Sequence, residues 1–561
     1  MVDRREAIAT LTAAGEDYEL TEVELFGRTC RAFKNAPPTL RQLYEDNVSE
    51  LDFFVYEDER YTFAQTWRLA SRIGALLVEQ YGVQKGDRVA ISMRNYPEWV
   101  TSFYAATSIG AIAVPMNALW QPDEMAYGLK DSGAKVLLAD QERLDRLARC
   151  EQPQGLSVLA VRPSKPLPPG VRELGEALAA IPEDAEMPLR DVSPNDDATI
   201  LYTSGSTGHP KGAVSCHRNV ISALLSWELD FRAGALTAGL DTGAPGQPPA
   251  QPVTLLAVPL FHATGSHAVF LASIRAQRRI VSMYKWSVEQ AAELIERERV
   301  SSFIAPAAMT GDLVEHARVT DRDLSTLVAV GGGGAHRAPE QVAGIEKAFT
   351  AALPRTGWGM TETNAIGTSI AGADYLGRPA SSGRCSAVLD IRIVDDAGSD
   401  LPTGERGEVQ IRGTSIIRGY WKRPDANATT FVDGWLRTGD VAYLDDEGFL
   451  FIVDRIKDLV IRGGENIGCG AVESALLEHP SVMEASVYAV PDERLGEEIG
   501  ATLYTTERLA QEELRSFLKP RLAAFEIPRY FHFHQAPLPR TASGKILKRQ
   551  LRQEAVARIS D

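Results

Sequence analysis

Between about residue 60 and residue 310, short apolar runs alternate with stretches of helical periodicity, and this alternation narrows the possible folds more than any other feature of the chain. Lys135–Asp140, Val253–Val258 and Arg279–Met283 read as buried strands. Ser287–Val300 reads as a helix: Ser287 can cap its first turn, Gln290 three residues on completes a capping box, and Ala291, Leu294 and Ile295 share one face. Strand–helix–strand order implies βαβ units around a largely parallel sheet. At 561 residues the chain exceeds the ~250–300 that one hydrophobic core serves, so more than one domain follows.

Two Gly/Pro-rich stretches, Pro163–Pro169 and Gly239–Pro252, lack periodicity and read as loops or linkers. Near residue 454 the pattern changes. Beyond it the sequence predicts a helix over Gly470–Leu477, strands over Met483–Val490 and Ile499–Thr505, a helix over Gln511–Leu522 and a basic tail. The expected architecture is therefore α/β: a large N-terminal domain of βαβ-built sheets over residues 1–453, and a small α+β C-terminal domain over residues 454–561.

A net charge of −16, with 59 basic against 75 acidic residues, argues against nucleic acid as a partner, though it leaves room for a local basic groove around an anionic ligand. The five cysteines are scattered without the spacing of a metal knuckle or redox motif, which reads as reduced thiols in a cytoplasmic protein. The N-terminus lacks the apolar centre of a signal peptide, and nowhere do ~18 apolar residues run unbroken, so no transmembrane helix is expected. Peripheral membrane contact and a homodimer both remain compatible with the sequence.

The chemistry concentrates in a few segments. Leu201–Gly212, LYTSGSTGHPKG, lines up small and hydroxylated residues so that backbone amides and hydroxyls can close on phosphate oxygens, with Lys211 adding a positive charge. It is not a Walker loop, because Pro210 stands five positions after Gly205. Further on come Gly331-Gly-Gly-Gly-Ala335, Gly357-Trp-Gly-Met-Thr-Glu362, Trp435-Leu-Arg-Thr-Gly-Asp440, Asp454-Arg-Ile-Lys-Asp458 with Gly463-Gly-Glu-Asn466, and Pro539-Arg-Thr-Ala-Ser-Gly-Lys545. Ahead of them, Lys85-Gly-Asp-Arg-Val89 also fits. In this order and spacing the motifs closely resemble those of the adenylate-forming superfamily: acyl-CoA synthetases, firefly luciferase and the adenylation domains of peptide synthetases. The resemblance spans nearly the whole chain.

That resemblance implies a mobile C-terminal domain and a two-step reaction using ATP, Mg²⁺ and CoA. It places ATP or AMP against Thr203, Ser204, Gly205, Ser206, Thr207, Gly208 and Lys211, and against Gly333, Gly334, Ala335, Gly357, Trp358, Gly359, Met360 and Thr361. Asp440 is expected to accept the ribose hydroxyls, with Arg455 beside it and Lys545 reaching the α-phosphate. Mg²⁺ would lie near Thr203 and Glu362. The acid pocket is expected around Phe261, His262, Ala305, Gly331 and Gly332, aided by the apolar segment Phe303–Met309. Lys545, His262 and Lys211 are the candidate catalytic residues. Lys457 is the expected hinge, and Gly463 and Gly464 the approach for CoA. Cys469 has nothing nearby that marks it as a nucleophile, and Lys548 and Arg549 read as solvated basic residues.

Amino-acid-activating relatives carry Asp where this chain has His262, which disfavours an amino acid. The expectation is an acyl-CoA synthetase for an apolar, medium- to long-chain fatty or similar acid. A CoA ligase for aryl or arylalkanoic acids is the alternative. A carrier-protein-loading enzyme or a luciferase-like oxygenase comes next. A non-catalytic adenylate-binding protein is disfavoured by intact Lys211, Glu362, Asp440 and Lys545.

Overall fold

Parallel pairing dominates where the sequence alternates strand and helix. The computed structural model describes residues 3–203, 210–239, 251–333, 339–463, 465–541 and 545–560. The expected phosphate contacts Ser204–Gly208, the adenine-side Gly334 and Ala335, Gly464 and most of the Gly239–Pro252 stretch lie outside these residues. In one eight-stranded sheet the strands Asp197–Tyr202, Ile112–Pro115, Arg88–Ser92, Ala134–Asp140 and Ser157–Val161 run parallel, in that order. Ala134–Asp140 is buried on both faces, as a parallel strand covered by helices requires.

The second sheet is mixed. Its parallel half runs from Leu353–Trp358 through Ala329–Gly331, Ser302–Ile304, Val253–Leu256 and Arg279–Ser282 to Asp52–Tyr56. Its antiparallel half carries Trp435–Leu444 and Phe449–Arg455. The helix Val288–Glu298 begins where expected, with Ser287 Oγ accepting from the Gln290 amide at 3.3 Å. Only the Ser287 half of the capping box forms, and the Ser287 hydroxyl also donates to Glu289 at 2.8 Å.

A five-stranded sheet closes the chain, and its core of Val460, Val472, Leu476, Val487, Ile499 and Leu514 draws on no residue before 460. Two of its elements depart from the sequence reading. Tyr530–His534 adds a strand parallel to Gly496–Thr505, and the basic tail is a helix, Lys548–Ser560. Leu551 and Ala555 of that helix pack on Tyr488 and Val490. Lys548 is accordingly not a solvated cation: its Nζ lies 3.0 Å from Glu473 Oε1. Burial works against the Lys548 charge, but the Glu473 carboxylate overrides it and holds the ammonium above the usual lysine range. Among the described residues no helix is long and apolar enough to cross a membrane.

Candidate active site

Thr203 and Lys211 close the ends of the Ser/Gly loop, the Thr203 amide donating to the Lys211 carbonyl at 2.9 Å. The flanking strands Asp197–Tyr202 and Gly212–Cys216 are antiparallel, so the loop tops a hairpin and does not feed a helix as a Walker loop does. On the far side of Gly212–Cys216 runs Gly419–Tyr420. Lys211 Nζ sits 4.6 Å from the centre of the Tyr420 ring, and the Tyr420 hydroxyl donates to Glu362 Oε1 at 2.7 Å. Tyr420, which no motif marked, thus links the two charged residues.

Glu362 is buried on a single 3-10 turn, Thr361–Thr363, and is not a solvated loop carboxylate. The turn follows the strand end Gly357–Trp358 through Gly359 and Met360, whose amide is held by Thr363 Oγ1 at 3.0 Å. A Cβ on Gly359 would stand 2.6 Å from the Ala365 backbone, so the tight turn requires glycine there. Asn364 exits at φ 56° and ties the turn inward. Its Nδ2 donates to the Ser415 carbonyl at 2.8 Å, leaving Oδ1 to accept from Ser215 at 2.9 Å and from His267 Nε2 at 3.1 Å. His267 belongs to Thr264–Leu271, a π-helical segment that begins two residues after His262. Burial holds His267 at about 4, hence neutral. Its Nδ1 is then the acceptor for Ser266 Oγ at 2.8 Å.

Asp440 and Arg455 face each other across adjacent antiparallel strands. Arg455 Nε lies 2.9 Å from Asp440 Oδ1, and Trp358 Nε1 donates to Oδ2 at 2.7 Å. Burial raises the Asp440 carboxyl above its usual range, with Arg455 and Trp358 opposing. Each carboxylate oxygen keeps a further acceptor site.

The glycine run is explained by its neighbours. A Cβ on Gly331 would fall 1.9 Å from the Arg355 carbonyl oxygen, one on Gly332 would fall 2.3 Å from that of Ala305, and one on Gly333 would fall 2.6 Å from that of Gly357. Three strands crowd together here, and only hydrogen fits between them. Phe303 departs from the expected pocket lining: it stacks on Trp286, ring centres 5.5 Å apart, in the core beneath Val288–Glu298. The Phe261 and His262 rings lie 4.6 Å apart. Among the described residues His262 Nε2 is buried without a hydrogen-bond partner. Burial, aided by the nearby Lys545 charge, lowers this imidazole to about 4.

Lys545 comes from the C-terminal sheet region to meet these groups. Its backbone is clipped to Thr541, whose amide donates to the Lys545 carbonyl at 2.7 Å. The Lys545 residue is exposed to solvent, with Arg455, Asp440, Glu362 and Lys457 among the charges that act on its ammonium. Desolvation by the surrounding protein, then Arg455, lowers the ammonium below the usual lysine range, while Asp440 and Glu362 oppose the shift. Lys457 lies on the 3-10 turn Ile456–Asp458, directly after Arg455. Gly463 turns the hairpin between Val460–Arg462 and Glu465–Ile467 at φ 61°, its amide donating to the Leu495 carbonyl at 2.9 Å. Cys469 is buried and burial pushes its thiol well up, so it is no nucleophile.

Lys211 and Glu362, the Asp440–Arg455 pair and Lys545 of the C-terminal region are thus described charged residues of the motifs, and the two stretches of the chain that carry Lys211, Glu362 and Lys545 each match a known family. The AMP-binding enzyme family matches residues 45–421, and the AMP-binding enzyme C-terminal domain matches residues 471–545. The chain belongs to the AMP-binding enzyme family. It is 32% identical over 508 residues to the long-chain-fatty-acid–CoA ligase FadD13 of Mycobacterium tuberculosis, covering 90% of this chain and 94% of that protein. It is also 32% identical over 518 residues to 4-coumarate–CoA ligase 2 of Oryza sativa subsp. japonica, covering 89% and 88%. Among solved structures, the o-succinylbenzoate coenzyme A synthetase of Bacillus subtilis in complex with ATP and magnesium superposes with a TM-score of 0.76 at 29% identity, over 92% of this chain and 99% of that one. With these relatives the chain is an AMP-forming acid–thiol ligase.

Proposed function

We propose that this ligase activates an acid with an apolar body, as medium- to long-chain fatty acids have, and passes it to CoA. In the first step a carboxylate oxygen attacks the α-phosphorus of ATP, forming the acyl phosphate bond and releasing pyrophosphate. In the second, the CoA thiol attacks the acyl carbonyl, and AMP leaves as the new thioester forms. The observation that carries this reading is the convergence of Lys545 with Asp440, Glu362 and His262, groups from two domains.

Charge accumulates on the phosphate during the first step, and Lys545 and Lys211 are the cations set to balance it. Asp440 takes the ribose hydroxyls while Trp358 and Arg455 hold its rotamer. A neutral His262 suits the acid, which arrives already ionised and needs no general base; Nε2 is left to orient the carboxylate. Glu362 fits a magnesium ion: only its Oε1 is engaged by Tyr420. Among the described residues no cluster of three metal-binding side chains exists, so most of the ion's oxygens would come from phosphate and water. Residues 1–453 form the adenylating domain and residues 454–561 the domain that turns about Lys457, with Gly463 and Gly464 beside the incoming thiol. Five free cysteines and the need for ATP and CoA support a cytoplasmic setting.

Equal identity to the rice 4-coumarate ligase supports an aryl or arylalkanoic acid as the second reading. Pyrophosphate release measured over a panel of fatty, aryl and amino acids, with and without CoA, decides the matter. Acid-dependent release with apolar acids, and thioester only when CoA is present, is expected. Release driven best by free amino acids overturns the proposal.

A further inference from the structure

Thr203 and Lys211, which close the Ser/Gly loop, each follow a residue tied to one carboxylate, that of Asp131. The Tyr202 hydroxyl donates to Asp131 Oδ2 at 2.7 Å, and Tyr202 stands directly before Thr203. On the other oxygen, Arg423 Nη2 donates to Asp131 Oδ1 at 2.9 Å and also to the Tyr127 hydroxyl. That hydroxyl in turn donates to the carbonyl of Pro210 at 3.2 Å, directly before Lys211. Gly212, directly after Lys211, is held from the same side. Its carbonyl accepts from the Trp421 amide at 2.8 Å, and Trp421 Nε1 donates to the Asp131 carbonyl at 3.1 Å.

Helix stability does not account for Asp131. It is the last-but-one residue of the helix Pro122–Ser132, where a negative charge opposes the helix dipole. Its side chain is only 9% exposed, so the carboxylate also gives up hydration, which the bonds from a phenol and a guanidinium offset. Those bonds lead to the two residues that precede Thr203 and Lys211.

We infer that Asp131 is a positioning residue of the adenylation step: it fixes where Thr203 and Lys211 stand, and so the reach of Lys211 toward phosphate. It acts through Tyr202, Arg423 and Tyr127. The Tyr420 ring, 4.6 Å from Lys211 Nζ, steers the lysine side chain, while Pro210 and Gly212 set the place of its backbone. A shift of about 1 Å in a group that acts on the reacting atoms is enough to cost about 10²-fold, so a carboxylate outside the site governs the step. The inference rests on the phosphate role proposed above for Lys211.

The test separates the half-reactions in intact enzyme, with the acid that the pyrophosphate panel selects. ATP–pyrophosphate exchange reads the first step, and transfer from chemically made acyl-AMP to CoA reads the second. Asp131→Ala is expected to raise the KM for ATP and for pyrophosphate and to lower kcat/KM for ATP by about ten- to a hundredfold, while transfer to CoA stays at the parent rate. Tyr127→Phe cuts the arm to Pro210 and keeps the Asp131–Arg423 pair. It should move the same constants in the same direction, and it answers the question if the Asp131 variant fails to fold. Equal loss of both steps, or a lower melting temperature with the pyrophosphate KM unmoved, marks a merely structural role and overturns the inference. Lys211→Met is measured beside them. If it slows exchange while the Asp131 and Tyr127 variants do not, the positioning inference alone falls. If it exchanges like the parent, the phosphate role of Lys211 falls too.

Discussion

Asp440 holds Arg455 on one oxygen and Trp358 on the other, so the carboxylate expected to read ribose is also the anchor of two neighbours. Asp440→Ala would remove both functions at once. Asp440→Asn keeps an acceptor for Trp358 and is the cleaner probe. We expect the Asn variant to weaken ATP, read by isothermal calorimetry, by about 1.5–3 kcal/mol, the scale of a hydrogen bond to a charged group, while acid binding is spared; unchanged ATP affinity would contradict the ribose role. Lys545 predicts a pH profile. Burial and Arg455 lower its ammonium, so in the free enzyme the charge is complete at low pH and lost as pH rises through a value below the usual lysine range. The kcat/KM of adenylation should therefore fall on an alkaline limb below about pH 10.4, the ordinary lysine value. Bound nucleotide phosphate favours the charged form, so the same limb should lie higher in kcat. Lys545→Arg should abolish the limb; a limb that persists in it assigns the titration elsewhere. The sequence singles out Lys211, Glu362, Asp440 and Lys545 as site residues through their motifs, and the structure gives each of them charged or aromatic neighbours. Tyr420 and the Asn364–His267 network were not legible there, since each matters only through a partner distant in sequence.

At the scale of elements, the strand–helix alternation that builds parallel sheets was readable, and the order of the strands and the docking of the C-terminal helix were not. Lys548–Ser560 looks like a solvated basic tail until Lys548 meets Glu473, and nothing in a local window announces a half-buried carboxylate 75 positions earlier. Lys548→Met should leave that carboxylate unpaired and lower stability by about 1–3 kcal/mol, since both side chains keep some solvent contact. Adding Glu473→Gln should restore most of the loss in urea melts; no recovery would mean that helix packing and not the ion pair dominates. The start of the C-terminal domain is tied by a similar local device. Asp454 Oδ2 accepts from the Cys469 amide at 2.5 Å, at the first turn of Cys469–Leu477, and Oδ1 accepts from the Arg455 amide at 2.7 Å. A carboxylate at a helix N-terminus is favourable, and here it also joins the segment before Lys457 to the domain after it. The sequence showed a motif aspartate there but not what it caps.

The proposed reaction has two steps at one site, and the present arrangement suits the first. Lys545 lies with Asp440, Glu362 and His262, while Asp454 clasps the helix Cys469–Leu477. A turn of the C-terminal domain about Lys457, as proposed, is expected to withdraw Lys545 and to strain the Asp454–Cys469 bond, whose partners stand before and after Lys457 in the chain. Lys545→Ala should slow acyl-AMP formation by roughly 10²–10³-fold, the scale of losing one preorganised electrostatic group, yet form thioester from chemically made acyl-AMP at near the parent rate. Lys457→Pro fixes φ at the pivot and obstructs the turn, so it should make acyl-AMP and transfer it poorly to CoA. Asp454→Ala should act in the opposite sense. It removes a contact that spans the proposed pivot in the present arrangement, so acyl-AMP formation should slow several-fold while transfer from preformed acyl-AMP is unchanged or faster. Single-turnover measurement of the two half-reactions in all three variants separates these effects. Equal loss of both steps in the Lys457 variant, or failure of the Lys545 variant with preformed acyl-AMP, would show that one arrangement performs both reactions.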